Sequence, residues 1–488
     1  MRKALMWRTD FTVRHIYFRE KGEFMNTKVD DRKQLILYKN PIWKGLLYLS
    51  FPVFLVNVLK TLHDIVDGVF LGMVDGVTDA GTSLATSMQS AVALTWPIFF
   101  IFISFGMGLS VAGNALIGQY VGKGDYDSAK KYSNNTVYIS VFLGILFTVI
   151  VYLSAPYILK LMGAEGSDLT FAITYLRIRS FELPILFLIY AFEAVRRATG
   201  DTTTPVIVNA IGIALNIILT PIMVLVLNMG ITGAALSTVT AHLVILPIII
   251  FFLLKSKKSL TVNFNIKQLN KTIIGDILNI GIPASTGQSI QAVGFVIMNS
   301  LIYAYGTSVS AAFYIGNRIS SLVMFPVSAV SSIVAIYIAQ NVGAQNTPRA
   351  KKSVREGIII SVIMMIVGII ILLPFSESIV HLFSKDSDTI KHATTYVFWI
   401  GIGLPLMALF QVYLSAFQGS GETKKSFILA ITRLWILRLP MILLVNKYTD
   451  LGPMGIWYAM LASNALAALV GAFLYSKVKF LPKTRKEV

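Results

Sequence analysis

The chain has 488 residues, of which 55% are hydrophobic and only 14% are charged, and its mean hydropathy is +0.70. Soluble domains carry about 25% charged residues, so this composition excludes an ordinary soluble protein and indicates a membrane-embedded one. The chain contains no cysteine, which excludes disulfides and thiolate chemistry, and its formal net charge is +18. Its five histidines are scattered, without metal-ligand spacing.

The chain begins with a polar, basic segment, residues 1–43, which lacks the apolar stretch of a signal peptide. Apolar segments long enough to span a bilayer, about 20 residues each, then recur along the chain. They number twelve: 46–73, 84–113, 134–156, 170–195, 205–227, 232–254, 276–304, 309–338, 357–380, 393–417, 427–446 and 454–476. The sequence therefore predicts an all-α, polytopic membrane protein with a basic tail at 477–488.

Lysine and arginine are distributed unevenly among the connections. Most of the 42 lie in the N-terminal segment, the even-numbered connections and the tail, whereas the odd-numbered connections hold only Lys160, Lys385, Lys391 and Lys447. The positive-inside rule then places both termini in the cytoplasm and the protein in the cell membrane, plasma or inner. This topology explains the basic excess, with attraction to anionic lipid as a secondary effect, so we expect no nucleic-acid partner.

The chain also repeats itself. IGQYVGKGDYDSAKK at 117–131 aligns with IAQNVGAQNTPRAKK at 338–352, and the same offset of 221 residues pairs Gly-Asp-Thr at 200–202 with Gly-Glu-Thr at 421–423. We predict two pseudo-symmetric six-helix bundles, an N-lobe at 44–254 and a C-lobe at 276–476, joined by a cytoplasmic linker at 255–275. Because six is even, the repeats are parallel, an arrangement on which alternating access is commonly built.

The first predicted span carries charges that lipid does not tolerate. Lys60, His63, Asp64 and Asp67 fall within eight residues, and Lys60, Asp64 and Asp67 share one helix face. A carboxylate near the bilayer centre costs roughly 2.5–3.5 kcal/mol on insertion scales, so this face should look into protein or water. One interpretation is a Lys60–Asp64 ion pair at a helix contact. The other is an ion or proton site, which would use Asp67.

Five sequence features in this order are typical of one transporter family. They are Pro52, Asp67 and Gly72 in the first span, the repeated loop after spans 2 and 8, ATGDTTTP at 198–205, GITGAALSTV at 230–239 and RLWILRLPM at 433–441. Over residues 44–476 the chain resembles the multidrug and toxin extrusion (MATE) transporters. The resemblance implies a V-shaped pair of six-helix bundles, normally monomeric and not an enzyme. Such proteins export organic, often cationic compounds in exchange for sodium ions or protons.

The resemblance also implies a cation site in the N-lobe, formed by Asp67, Asn216 and Thr238. The family often has an aspartate four residues after the asparagine, but here Thr220 occupies that position. Asp64, one turn before Asp67, is the nearest substitute carboxylate. We predict that H⁺ or Na⁺ binding at Asp67 repositions the first span, with Pro52 as the hinge. No other cofactor or metal is expected, and the choice between the two ions stays open.

Other polar residues in the predicted spans have two interpretations each. Glu193 is a candidate for the substrate cavity or for an ion pair with Arg196 or Arg197, and Gln288 and Gln291 are candidate cavity residues of the C-lobe. Three charged residues early in span 4 are expected to lie partly at the membrane interface: Arg177, Arg179 and Glu182. Arg433 and Arg438 in span 11 are expected to have structural roles. Arginines facing the cavity would disfavour cationic cargo.

Together these features predict a secondary active transporter that exports amphipathic or cationic compounds by antiport with H⁺ or Na⁺. One alternative is a flippase for a lipid-linked saccharide or similar amphiphile, which shares the fold; twelve spans and the GDTTTP stretch favour the exporter. Another is an intramembrane prenyl-transferring enzyme, in which Asp64-x-x-Asp67 would hold Mg²⁺ on a diphosphate. No second acid-rich motif supports that reading.

Overall fold

The computed structural model describes residues 27–78, 83–256, 259–263 and 268–485, without the side chains of 27–30 and 62–67. These residues form sixteen α-helices: α1 Thr27–Leu37, α2 Ile42–Gly72, α3 Leu84–Lys123, α4 Tyr126–Leu161, α5 Gly166–Ser180, α6 Leu183–Ala198, α7 Thr203–Pro221, α8 Gly230–Leu254, α9 Lys271–Tyr303, α10 Thr307–Gly343, α11 Thr347–Leu372, α12 Ser376–His381, α13 Ser387–Gly419, α14 Thr423–Ile431, α15 Leu439–Tyr448 and α16 Pro453–Ser476.

The predicted twelve-span, two-lobe architecture is confirmed. Within the described ranges, ten helical segments are long and apolar enough to cross a membrane. The other two predicted spans correspond to α9 and to the pair α5 and α6, which is interrupted at Phe181 and Glu182, just before Pro184. Two spans contain a π-helical turn, Ile222–Val226 after α7 and Thr432–Arg438 between α14 and α15, so the fifth span of each lobe is irregular.

The repeated loop after spans 2 and 8 ends one helix and begins the next. Gly124 and Gln345 have left-handed φ angles of 84° and 57°, which turn the chain at the ends of α3 and α10. The next residues, Asp125 and Asn346, are the N-caps of α4 and α11. Their side chains accept hydrogen bonds from the main-chain nitrogens of Ser128 and Arg349, at 3.0 and 3.2 Å. The repeat is therefore explained by helix capping.

The two lobes meet at one end of the bundle, which we call the terminal end because α1, the C-terminal tail and the even-numbered connections lie there. Here α3 packs against α9 and α10 across the lobe boundary. A Cβ atom at Gly122 would clash with the main chain of Gln340, and one at Gly343 with the main chain of Gln119. The contact is reciprocal, so both glycines are needed for the close approach of the two helices.

Both ends of the chain cross the lobe boundary at the terminal end. In the tail, Arg485 donates two hydrogen bonds to Asp276 of α9, at 2.9 and 2.7 Å, and the same carboxylate accepts from Tyr132 of α4 at 2.7 Å. Lys483 lies 3.0 Å from Glu422. Burial alone would raise the pKa of Glu422, but Lys483 and Lys425 together hold this pKa below its usual range.

The first helix makes the corresponding contacts on the other side. Arg32 of α1 lies 3.3 Å from Asp201 in the N-lobe. Arg349 of the C-lobe donates a hydrogen bond of 2.9 Å to the carbonyl of Ile36. Residues 1–43 were predicted only as a polar, basic segment; α1 within it packs on the terminal end and bridges the two lobes.

The close approach at Gly343 can be tested by measuring the distance between the lobes. We expect Gly343→Val to move the lobes apart at the terminal end, because its side chain would collide with the Gln119 main chain, and overpacking costs about 1–3 kcal/mol. Because the chain has no native cysteine, spin labels can be attached at Lys130→Cys and Lys351→Cys, both at exposed positions. Double electron–electron resonance would then measure the distance between the two lobes. The variant should populate longer distances.

Gly275→Val is the matched control, because a Cβ at this helical glycine of α9 meets no atom within 4 Å. It should leave the distance distribution as in the parent. Unchanged distances in Gly343→Val, or an equal shift in both variants, would contradict the assigned contact.

Candidate functional site

The N-lobe encloses a cluster of hydroxyl and amide groups between α7 and α8. Asn216 and Thr220 lie one turn apart near the end of α7, and Ser237 and Thr238 lie on α8; all four are at most 3% exposed. Thr220 immediately precedes Pro221 and the π-helical turn, where the regular main-chain hydrogen-bond ladder is interrupted. Irregular turns of this kind occur frequently at functional sites in membrane helices.

Hydrogen bonds connect the cluster from one helix to the other. Asn216 donates through Nδ2 to the Thr238 hydroxyl at 3.1 Å and accepts from the Thr220 hydroxyl at 3.3 Å. The hydroxyls of Thr220 and Ser237 lie 3.0 Å apart. Three predicted residues of the cation site are thus brought together. Sequence reasoning missed Ser237, although it adjoins Thr238 in the quoted GITGAALSTV stretch.

The helix that carries the predicted carboxylates runs beside this cluster. α2 packs along α7 and is continuous from residue 42 to 72, with the predicted hinge residue Pro52 inside it. The side chains of Asp64 and Asp67 lie outside the described residues, so their roles stay predictions. The cluster itself is uncharged and offers amide and hydroxyl oxygens. A cation held there would need its negative charge from a neighbouring helix.

The other predicted site residues lie elsewhere. Glu193 of α6 is buried and lies 2.9 Å from Arg197, and it accepts a 2.6 Å hydrogen bond from Asn209 of α7. The structure thus places it in an ion pair near the terminal end of α6. In the C-lobe, Gln288 and Gln291 are half-buried on α9, and the Gln291 amide oxygen accepts from Arg433 at 3.0 Å.

Glu182, predicted to lie partly at the membrane interface, is buried inside the bundle. Glu182 is 1% exposed and sits at the break between α5 and α6. Its carboxylate lies 2.9 Å from Nε of Arg179 and 2.8 Å from Nδ1 of His242 on α8. A buried carboxylate requires such partners to offset its desolvation. The sequence signal was a glutamate two residues before Pro184, but its partner His242 is 60 residues away in the chain.

Within the described part of the chain, no three His, Cys, Asp or Glu side chains are grouped closely enough to hold a metal ion. Two of the polar groups described in the N-lobe differ in character: the cluster on α7 and α8 is neutral, and the group around Glu182 is charged.

We expect Glu182→Gln to destabilise the protein, because it leaves the half-buried Arg179 and His242 beside a neutral amide. Removing one partner of a buried ion pair costs about 3–5 kcal/mol. Thermal unfolding in detergent, followed by loss of the monodisperse chromatographic peak, would measure the change.

Glu377→Gln is the matched control, since that exposed glutamate lies 4.0 Å from His381 at a surface where such pairs contribute little. Equal melting temperatures for the two variants would contradict a structural role for the buried group.

Comparison with known proteins places this geometry in a family. The MatE family profile matches residues 52–222 and 283–444. The chain is 26% identical over 455 residues to the "Probable multidrug resistance protein YoeA" of Bacillus subtilis, covering 92% of this chain and 96% of that protein. It is 27% identical over 452 residues to the "Multidrug export protein MepA" of Staphylococcus haemolyticus, covering 91% and 96%.

Solved structures share the fold. One described as the "outward-facing conformation of a multidrug resistance MATE family transporter" superposes with a TM-score of 0.84 at 23% identity, covering 92% of this chain and 97% of that one. A MATE protein "in the straight conformation" gives 0.82 at 24% identity, covering 92% and 98%. With a family profile matching more than half of the sequence, the chain belongs to the MATE family of membrane transporters and is related to multidrug exporters.

Proposed function

We propose that this protein exports amphipathic organic compounds from the cytoplasm by antiport with H⁺ or Na⁺, with alternating access between its two lobes. The observation that carries the proposal is the buried neutral cluster of Asn216, Thr220, Ser237 and Thr238, beside the helix that bears Asp67. Such a cluster in a membrane-spanning bundle is costly without a purpose, because each polar group must be satisfied internally. The multidrug-export names of its relatives support the cargo class.

In this proposal Asp67 supplies the charge and the cluster supplies neutral ligands. Sodium would be coordinated by the carboxylate together with the oxygens of Asn216, Thr220 and Thr238. A proton would need only Asp67 in a pocket whose hydration changes. Either ion would favour a different position of α2, with Pro52 as the hinge, and α2 also contacts α10 of the other lobe. Cation loading in the N-lobe would thereby alter the lobe contact.

The terminal end is cytoplasmic in this proposal, since its connections carry most of the lysine and arginine. The lobes meet at that end in the present structure, which then corresponds to a state open to the outside. Transport requires the glycine contacts of Gly122 and Gly343 to separate and re-form once per cycle. We propose a monomer as the working unit, because each lobe contains a complete helical bundle.

Asp67→Asn tests the cation site. We expect it to abolish ion-driven export, because an amide cannot exchange a proton or balance a sodium charge. The measurement is dye efflux from proteoliposomes in which the sodium and pH gradients are imposed separately. Asp75→Asn, an exposed carboxylate in the following connection, is the control and should export like the parent. Export by Asp67→Asn at the parent rate would rule out the proposed role.

Thr220→Asp tests whether the cluster adjoins Asp67. A second carboxylate would repel the first, so one pKa rises and its protonated form persists to higher pH. We expect the midpoint of the pH profile of export to move upward by about one unit or more. Thr220→Asn, similar in size to the aspartate and uncharged, should leave the midpoint in place. A midpoint unchanged in Thr220→Asp would mean that the two side chains are not neighbours.

A further inference from the structure

The interior of the C-lobe is basic. Three arginines lie inside its spans: Arg318 on α10 and Arg433 and Arg438 in the π-helical turn of span 11. The carboxylates of the same lobe lie near helix ends or in connections: Asp276, Glu356, Glu377, Asp386, Asp388, Glu422 and Asp450. The N-lobe differs, because Glu182 and Glu193 are buried inside its bundle. Among the described side chains, the positive charge of the C-lobe spans therefore has no counterion within the same lobe.

Arg433 is poorly satisfied for a buried cation. It is 4% exposed, and its guanidinium stacks 4.4 Å from the ring centre of Phe410. It donates to the Gln291 amide oxygen at 3.0 Å and contacts the Met407 sulfur at 3.0 Å, while its Nε has no acceptor. Among the described residues, no carboxylate lies within ion-pair distance of it. A guanidinium has five N–H donors, and a thioether is a weak acceptor.

Arg438, in the same turn, is a buried arginine whose hydrogen bonds have a structural role. It is 3% exposed, and it donates to the Ser463 hydroxyl at 3.0 Å and to the Asn464 amide oxygen at 2.5 Å, both on α16. These bonds tie span 11 to span 12. Arg433 lacks oxygen partners of this kind apart from Gln291. The two arginines are therefore matched in burial and differ in how well they are satisfied.

The helix that carries Gln291 also takes part in the lobe contact. Gln288 and Gln291 are half-buried on α9, which touches α3 of the N-lobe through the Ser289 and Ser104 hydroxyls, 2.5 Å apart. Arg318 precedes Gln340 and Gly343 by about six and seven helical turns, so it shares the α10 face that contacts α3. It is half-buried. Its guanidinium donates to the hydroxyl of the exposed Tyr314 at 2.9 Å, and because an arginine facing lipid would be costly, we place this pair at the inter-lobe space.

We infer that the C-lobe contains a binding site for a carboxylate carried by the transported compound, with Arg433 as the anion-binding group. The inference rests on the proposed export function and names its substrate class, an amphipathic monoanion or zwitterion in place of a simple cation. Arg318 attracts the acid into the inter-lobe space. Arg433 then gives up its bond to Gln291 and binds the carboxylate, because a guanidinium can form two parallel hydrogen bonds with a carboxylate. Phe410 supports the guanidinium plane.

The test compares two dyes that differ only in the acid. Rhodamine B carries a free carboxylate, and in its ethyl ester that charge is masked. Binding to the purified full chain in phosphatidylcholine nanodiscs is measured by fluorescence anisotropy, with empty nanodiscs subtracted. We expect the acid to bind about tenfold or more tightly than the ester, as for a charge-assisted bidentate contact. Arg433→Gln should remove this preference, whereas ester binding should change less than twofold.

Gln291→Glu gives a second variant that does not depend on tolerating a lost arginine. The new carboxylate would pair with Arg433 and occupy it, so the acid preference should disappear while the folded protein becomes no less stable. Arg433→Lys should keep part of the preference because the charge remains. Arg318→Gln should reduce the association rate of the acid more than its dissociation rate.

Equal affinities for acid and ester in the parent, or no binding of either, would overturn the inference. So would an acid preference that persists in both Arg433→Gln and Gln291→Glu. The export function fails separately: acid-selective binding without gradient-driven dye movement in proteoliposomes would retain the site and refute the transporter mechanism.

Discussion

Every polar group at membrane depth in this protein has to find its partner inside the helical bundle, and three of the helix interruptions in the described spans lie beside such groups. The interruption at Glu182 precedes Pro184, the π-helical turn Ile222–Val226 follows Pro221, and the turn Thr432–Arg438 precedes Pro440. Each break lies beside a buried polar cluster. Irregular backbone at this depth is tolerated only where it lies within protein or lines a cavity, so breaks and clusters mark the same regions.

The two lobes use one architecture for different electrostatics. Both carry the same capped loops and an irregular fifth span, which is what the sequence repeat encodes. Their interiors have diverged: the N-lobe buries the carboxylates of Glu182 and Glu193, whereas the C-lobe buries Arg433 and Arg438 with no carboxylate beside them among the described residues. In the proposed mechanism, the coupling cation and an anionic group of the cargo would therefore act on opposite sides of the lobe boundary.

The sequence was sufficient for features that depend on period and on local spacing. Hydropathy and the repeat predict twelve spans and two lobes, and the i, i+4 spacing of Glu193 and Arg197 allows their ion pair to be anticipated. Asn216 and Thr238 were selected by resemblance alone, and the structure brings them within 3.1 Å.

Features that depend on tertiary packing could not be read in the same way. Glu182 finds His242 only because α5 lies against α8, and no local pattern carries that information. The same holds for α1 and the C-terminal tail, whose partners Arg349 and Asp276 are distant in the sequence. A basic segment is compatible with solvent, with lipid headgroups or with a bridge between lobes. Only the positions of the hydrogen-bond and ion-pair partners on both lobes select the third.

The polar contacts at the terminal end are ones that water can replace. The glycine approaches of α3 and α10 join main-chain atoms, and Gln340 of α10 donates to the carbonyl of Ala198 in the N-lobe at 2.7 Å. On separation, these amides and carbonyls exchange one neutral partner for a water molecule, a change with a small net free energy. The ion pair of Arg485 and Asp276 lies at the solvent-accessible rim, where its contribution is modest. In the proposed mechanism, the polar part of the lobe contact is therefore cheap to break, and a bound ion or cargo molecule would shift the balance between states by its different affinity for them.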